Sequence, residues 1–158
     1  SKYQIATSFA QYVQLEPKDI TIELSWQNSN YDLDIHFEKP LIKINEEQEE
    51  EKSKETLNYI FPYSEDDTAY ISFDDQKEIV NIFKLIDGTY RFSVKLFSEQ
   101  ESMDESQPVV KIYNQDRVVK IYKFEDFKAQ QKEDTLITEW NVFSITNQGD
   151  LTDFSPSI

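Results

Sequence analysis

The chain contains no cysteine and a single histidine, His36, among its 158 residues. Disulfides, thiol chemistry and thiolate metal sites are therefore absent, and one imidazole cannot assemble a structural zinc centre. Any Ser-His-Asp triad would have to be centred on His36. Glycine is almost as scarce, with Gly88 and Gly149 the only two. Phosphate-cradling loops need several glycines because the backbone must approach the phosphate closely, so P-loop and Rossmann nucleotide binding are excluded. The sequence also lacks any uninterrupted run of about 18 apolar residues, so no membrane insertion is expected. Its N-terminus has no basic-then-apolar profile of a signal peptide. The chain opens on Ser1, which reads as a processed chain or an excised piece, and the compartment stays open on these grounds.

Positive charge is in short supply too. Sixteen bases against thirty-one acids give a formal charge of −15, which repels phosphate and anionic lipid instead of neutralising them. Nucleic acid and membrane surface drop out as default partners. Divalent cations and basic protein patches remain, beside the plainer reading of a solvated acidic coat.

What the chain does have is large apolar side chains: 11 Phe, 9 Tyr and 2 Trp, enough for a sizeable core in one ordinary domain spanning 1–158. The dominant pattern is period-two alternation, which puts apolar side chains on one face of a strand and polar ones on the other. Ile20, Ile22, Leu24 and Trp26 alternate with Thr21, Glu23 and Ser25; Leu33, Ile35 and Phe37 alternate with Asp32, Asp34 and His36. Further strands are predicted at 70–73, 79–85, 90–97, 109–113, 118–124 and 140–145, with Asp87-Gly88 as a turn and residues 114–117 closing a hairpin. About eight short, half-buried strands must stack face to face to hide their apolar sides. The expected fold is all-β, an antiparallel β-sandwich of jelly-roll or Ig-like type, with Trp26, Phe92 and Trp140 between the layers.

Two stretches break the alternation. Residues 45–56 (NEEQEEEKSKET) contain no apolar side chain and are expected to form an acidic mobile loop or a solvated turn, and 98–107 reads as a long polar connection. Residues 124–132 suggest a short helix. The last stretch, 150–158, is expected to be a tail or the stub of a longer chain.

The most informative segment is Tyr31-Asp32-Leu33-Asp34-Ile35-His36-Phe37. The strand period sets Asp32, Asp34 and His36 on one face, successive members about 7 Å apart, so the carboxylates either converge on one cation or repel one another. A second acidic pair, Asp74-Asp75, ends the strand at 70–73. If the two strand ends are neighbours, Asp32, Asp34, Asp74 and Asp75 can supply oxygens to Ca²⁺, which takes roughly six to eight. The alternative is that Asp32, Asp34 and His36 form the solvent face of an edge strand, where charge discourages sheet-to-sheet association. Tyr31, Tyr59, Tyr63 and Tyr113 are candidates for an exposed binding face. Paired carboxylates of a glycosidase carry no information among thirty-one acids, and the inventory as a whole points to a protein that is not an enzyme.

The motifs in order are Leu24-Ser25-Trp26, Asp32-Leu33-Asp34-Ile35-His36, Phe73-Asp74-Asp75, Gly88-Thr89-Tyr90 with Val94, Val110-Lys111-Ile112-Tyr113 and Trp140-Asn141-Val142-Phe143-Ser144-Ile145. Their succession resembles a family of β-sandwich modules in large bacterial surface and secreted proteins. Residues 13–26 also look like the pre-peptidase C-terminal sandwich found beside secreted proteases. The resemblance implies a non-catalytic accessory or adhesive module, extracellular or at the cell surface, in some relatives calcium-binding. The chain departs from it in its few glycines, in the acidic insertion at 45–56 and in lacking the family's second histidine. The expected function is an interaction module with a protein partner, with a structural subunit of a large assembly and a carbohydrate-binding module as alternatives.

Overall fold

The computed structural model describes residues 12–97 and 102–154. Their alternating segments form eleven strands: β1 (Tyr12–Gln14), β2 (Lys18–Ser25), β3 (Leu33–Ile44), β4 (Glu50–Leu57), β5 (Ala69–Asp74), β6 (Lys77–Lys84), β7 (Tyr90–Leu96), β8 (Val109–Asn114), β9 (Arg117–Lys123), β10 (Glu139–Thr146) and β11 (Asp150–Asp153). One short helix, α1 (Phe124–Ala129), follows β9, and a single 3₁₀ turn covers Asp104–Ser106. All pairings are antiparallel. One sheet has the order β1-β11-β10-β7-β3-β4 and the other β5-β6-β2-β8-β9. The expected all-β antiparallel sandwich is the fold, with eleven strands instead of about eight.

Alternation decides what lies between the sheets. Ile20, Ile22 and Leu24 of β2 and Leu33, Ile35 and Phe37 of β3 are all buried in one apolar cluster that includes Tyr90, Phe92, Phe143 and Ile145. Phe92 stacks on Phe143 at 5.0 Å, and Tyr122 stacks on the same ring at 5.6 Å. Such ring pairs add about 0.5–1.5 kcal/mol each beyond the area they bury. Phe92 and Trp140 are hidden as expected, Trp140 against Phe124 of α1. Trp26 is a correction: it is only partly buried, packed on the rim of the core with its indole N–H donated to the Tyr31 carbonyl.

Three strands lie outside the expected set. The acidic segment at 45–56 is largely β4, paired in register with the second half of β3 from Phe37↔Leu57 to Ile44↔Glu50. Its strand character comes from main-chain bonds and cross-strand charge pairs such as Lys54–Glu38 at 3.1 Å, not from burial, so no apolar alternation announces it. As a charged edge strand it also resists pairing with another sheet. The expected tail begins as β11, which lies between β1 and β10 and buries Leu151. Asp153 accepts a bond from the Tyr122 hydroxyl at 2.7 Å and so joins the two sheets. Residues 155–158, and 98–101 of the expected polar connection, lie outside the described residues. The helix expected at 124–132 is shorter, ending at Ala129.

Turns close the frame. The β8–β9 hairpin needs only Gln115 and Asp116, both at positive φ (52° and 68°), the geometry that matches strand twist. At Gly88 φ is +131°, and a Cβ there would lie 2.6 Å from the Pro40 Cβ. Gly88→Ala is therefore expected to cost about 2–3 kcal/mol, combining a glycine-only backbone region with a steric clash, and chemical denaturation measures it.

Candidate functional site

The first half of β3 lacks a partner on one side. β7 pairs with it from Leu33 onward, but β4 joins only at Phe37. Main-chain groups of residues 33–36 thus face an opening at one end of the sandwich, and buried donors there need acceptors. The Ile35 amide finds one in Glu78, donating to Oε1 at 3.1 Å. Glu78 is the first inward-facing residue of β6, in phase with Val80 and Ile82, and it is buried.

Around this bond lies a pocket of about 200 Å³ lined by Asp32, Asp34, Tyr59, Phe73, Glu78 and Phe97. The six lining residues come from four parts of the frame: Asp32 just before β3 and Asp34 within it, Tyr59 from the segment after β4, Phe73 and Glu78 from the paired strands β5 and β6, and Phe97 just after β7. The Tyr59 and Phe97 rings meet edge to face at 4.9 Å and remain about half exposed, as does Phe73. Phe73 and Glu78 are direct cross-strand partners.

The electrostatics are unusual for an exposed opening. Asp34 is 2% exposed, and neither of its oxygens has an aligned hydrogen-bond donor. The Tyr59 amide and the His36 ring both approach it, His36 Nε2 to 3.0 Å of Oδ2, without satisfying it. Burial pushes the Asp34 carboxyl up to about 6, with the Asp32 charge acting the same way and the Tyr59 amide and Lys95 acting against them. Glu78 is pushed up to about 8, by burial first and then by the charges of Asp34 and Asp32, against the Ile35 amide. His36 is held below its ordinary value by burial and by Lys95, with Glu139 opposing. An attractive His–Asp ion pair would move both groups the other way, so here desolvation outweighs that attraction.

The structure brings Asp32 and Asp34 together with Glu78. It places Asp74 and Asp75 elsewhere on the same hairpin, exposed at its tip, where Asp74 Oδ1 accepts the Asp75 amide at 2.8 Å. Among the described residues, no three Asp, Glu or His side chains are arranged to hold a metal ion. The solvent-face reading of Asp34 is corrected: the residue is buried beneath the segment carrying Tyr59. Among the tyrosines expected on a binding face, Tyr59 and Tyr63 are exposed, Tyr113 is partly buried, and Tyr31 is buried. Glu78 is the functional candidate that strand spotting passes over. Its signal is parity, since counting back by twos from Ile82 and Val80 lands an acid on the apolar face.

Comparison with known proteins finds no matching family model, no matching curated protein and no matching solved structure. Among the described residues, no helix is long and apolar enough to cross a membrane.

Proposed function

We propose that the chain is a non-catalytic β-sandwich interaction module of a larger or secreted protein, and that it engages a protein partner at the open end of the sandwich. The observation that carries this reading is the Asp34 carboxylate, buried and without an aligned donor, beside exposed rings of Tyr59, Phe73 and Phe97. Leaving a buried polar group unsatisfied costs about 1–3 kcal/mol, which a partner donor recovers on docking. Half-exposed aromatic rings around a polar group are also the composition of interface hot spots. The overall charge of −15 favours a partner with basic residues.

Peptide display with the chain as bait, counter-selected on a Tyr59→Ser/Phe97→Ser variant, tests this. A convergent set of peptides that bind the parent and are recovered uncleaved is expected. Failure of any sequence to converge, or recovery of cleaved peptides, overturns the reading.

A carbohydrate-binding reading is favoured by a different feature, the row Tyr63, Tyr70 and Phe83 on the outer face of the second sheet. Tyr63 stacks on Tyr70 at 6.1 Å and Phe83 lies 5.7 Å from Tyr70. Sugar rings stack on such exposed aromatic surfaces, and a glycan array that responds to Tyr63→Ala supports that alternative.

A further inference from the structure

We propose, resting on the reading of the chain as an interaction module, that the pocket between Asp32, Asp34, Glu78 and the rings of Tyr59, Phe73 and Phe97 binds an organic cation: the alkylammonium or guanidinium end of a long side chain.

Asp34 lines the pocket, is 2% exposed, and neither carboxylate oxygen has an aligned donor, although the His36 ring at 3.0 Å and the Tyr59 amide lie against it. A buried carboxylate in that condition needs donors, and none of the six lining residues carries a positive charge. Lys95, opposite Asp34 on β7, influences it through its charge, yet among the described residues the two form no ion pair within 4.0 Å. The other titratable groups around the carboxylates are His36 on β3, 3.0 Å from Asp34 and shifted down by burial first, and Glu139 on β10, a further acid.

The walls select the kind of cation. Ca²⁺ requires roughly six to eight oxygens, and aromatic rings supply none. Ammonium and guanidinium groups are attracted to the faces of Tyr and Phe, and the attraction strengthens when water is excluded. Their N–H groups also donate directly to carboxylates, and guanidinium does so in a two-pronged fashion. A volume of about 200 Å³ accommodates the end of one long side chain. The unbound pocket holds its negative charge at a cost, because burial favours the protonated forms of Asp34 and Glu78. An entering cation takes the place of that proton. Binding near neutral pH therefore releases protons, and its calorimetric enthalpy depends on the ionisation enthalpy of the buffer.

The test is a titration of the ¹⁵N-labelled full chain with n-butylammonium, n-butylguanidinium, n-butanol and Ca²⁺, following the amides of Ile35 and Tyr59. Saturable shifts with the two organic cations, none with the neutral alcohol, and at least about tenfold weaker binding in Asp34→Asn are expected. Equal response to n-butanol, undiminished binding by Asp34→Asn, no saturable shift, or tighter binding of Ca²⁺ than of either organic cation overturns the proposal. Capped tripeptides with one central lysine or arginine separate the sources: tighter binding than the butyl ions assigns the cation to a protein segment, weaker binding to a free amine. Displayed peptides that converge without lysine or arginine sink the cation pocket and leave the interaction module standing. Butylammonium binding without any convergent peptide does the reverse.

Discussion

Glu78→Gln is expected to stabilise the protein at about pH 8 by roughly 3 kcal/mol, raising its melting temperature by about 6–12 °C, and to leave it nearly unchanged at about pH 5. The folded chain holds the Glu78 proton up to about 8, against 4.5 for the free side chain. Below the unfolded value both states are protonated and the residue is neutral in the balance. As pH rises from there the unfolded chain gives up its proton first, and stability falls until the folded value is passed. The shift is large because Glu78 is 7% exposed and shares its opening with two other carboxylates. Glutamine removes the charge while its amide oxygen still accepts the Ile35 N–H, so the main-chain bond at the free edge of β3 survives. Asp34 adds a second, lower window that ends at about 6. Melts of parent and variant across pH measure both. A parent whose stability rises between about pH 5 and 8 contradicts the burial of Glu78 as the source of the effect.

A loss of about 3–5 kcal/mol is expected for the double variant Glu55→Gln/Asp66→Asn, which strips both countercharges from a buried lysine. Lys39 has no exposed side-chain surface, and its Nζ lies 3.2 Å from Glu55, 3.0 Å from Asp66 and 2.7 Å from the Pro40 carbonyl. The amide replacements keep the acceptor oxygens used by the Glu65 and Thr68 amides, so the lost term is the pairing of charge. Adding Lys39→Met to the double variant is expected to recover most of the loss, because an apolar side chain of similar length needs no countercharge. Urea denaturation of the three proteins reads the sequence of costs. If the double variant matches the parent, Lys39 is not held by this pair of acids.

The same two regions explain how much of the molecule can be read from sequence. Alternation in β2, β7 and β10 is carried by residues such as Ile22, Phe92 and Trp140 that face one buried layer, and it locates those strands well. The strand β4 carries no such signal, because what holds it is a partner strand and the Lys39 cluster, neither visible within EEKSKETL. At the candidate site, Asp32 and Asp34 stand out by their spacing. Their association with Glu78 instead of Asp74 and Asp75 depends on the β5–β6 hairpin entering from the other sheet, a long-range placement that local pattern does not encode. The burial of Asp34 likewise depends on Tyr59, twenty-five positions further along the chain.

The pairing of β1 with β11 governs how the chain responds to being pulled. Tyr12, where β1 begins, sits opposite Thr152, where β11 is about to end. Tension applied through the two outer ends therefore draws apart neighbouring points on adjacent antiparallel strands. Hydrogen-bonded pairs then open in succession, like a zip, and are not loaded all at once in shear. The rim thus opens one pair at a time, before the pairing of β10 with β7 and of β7 with β3 is strained.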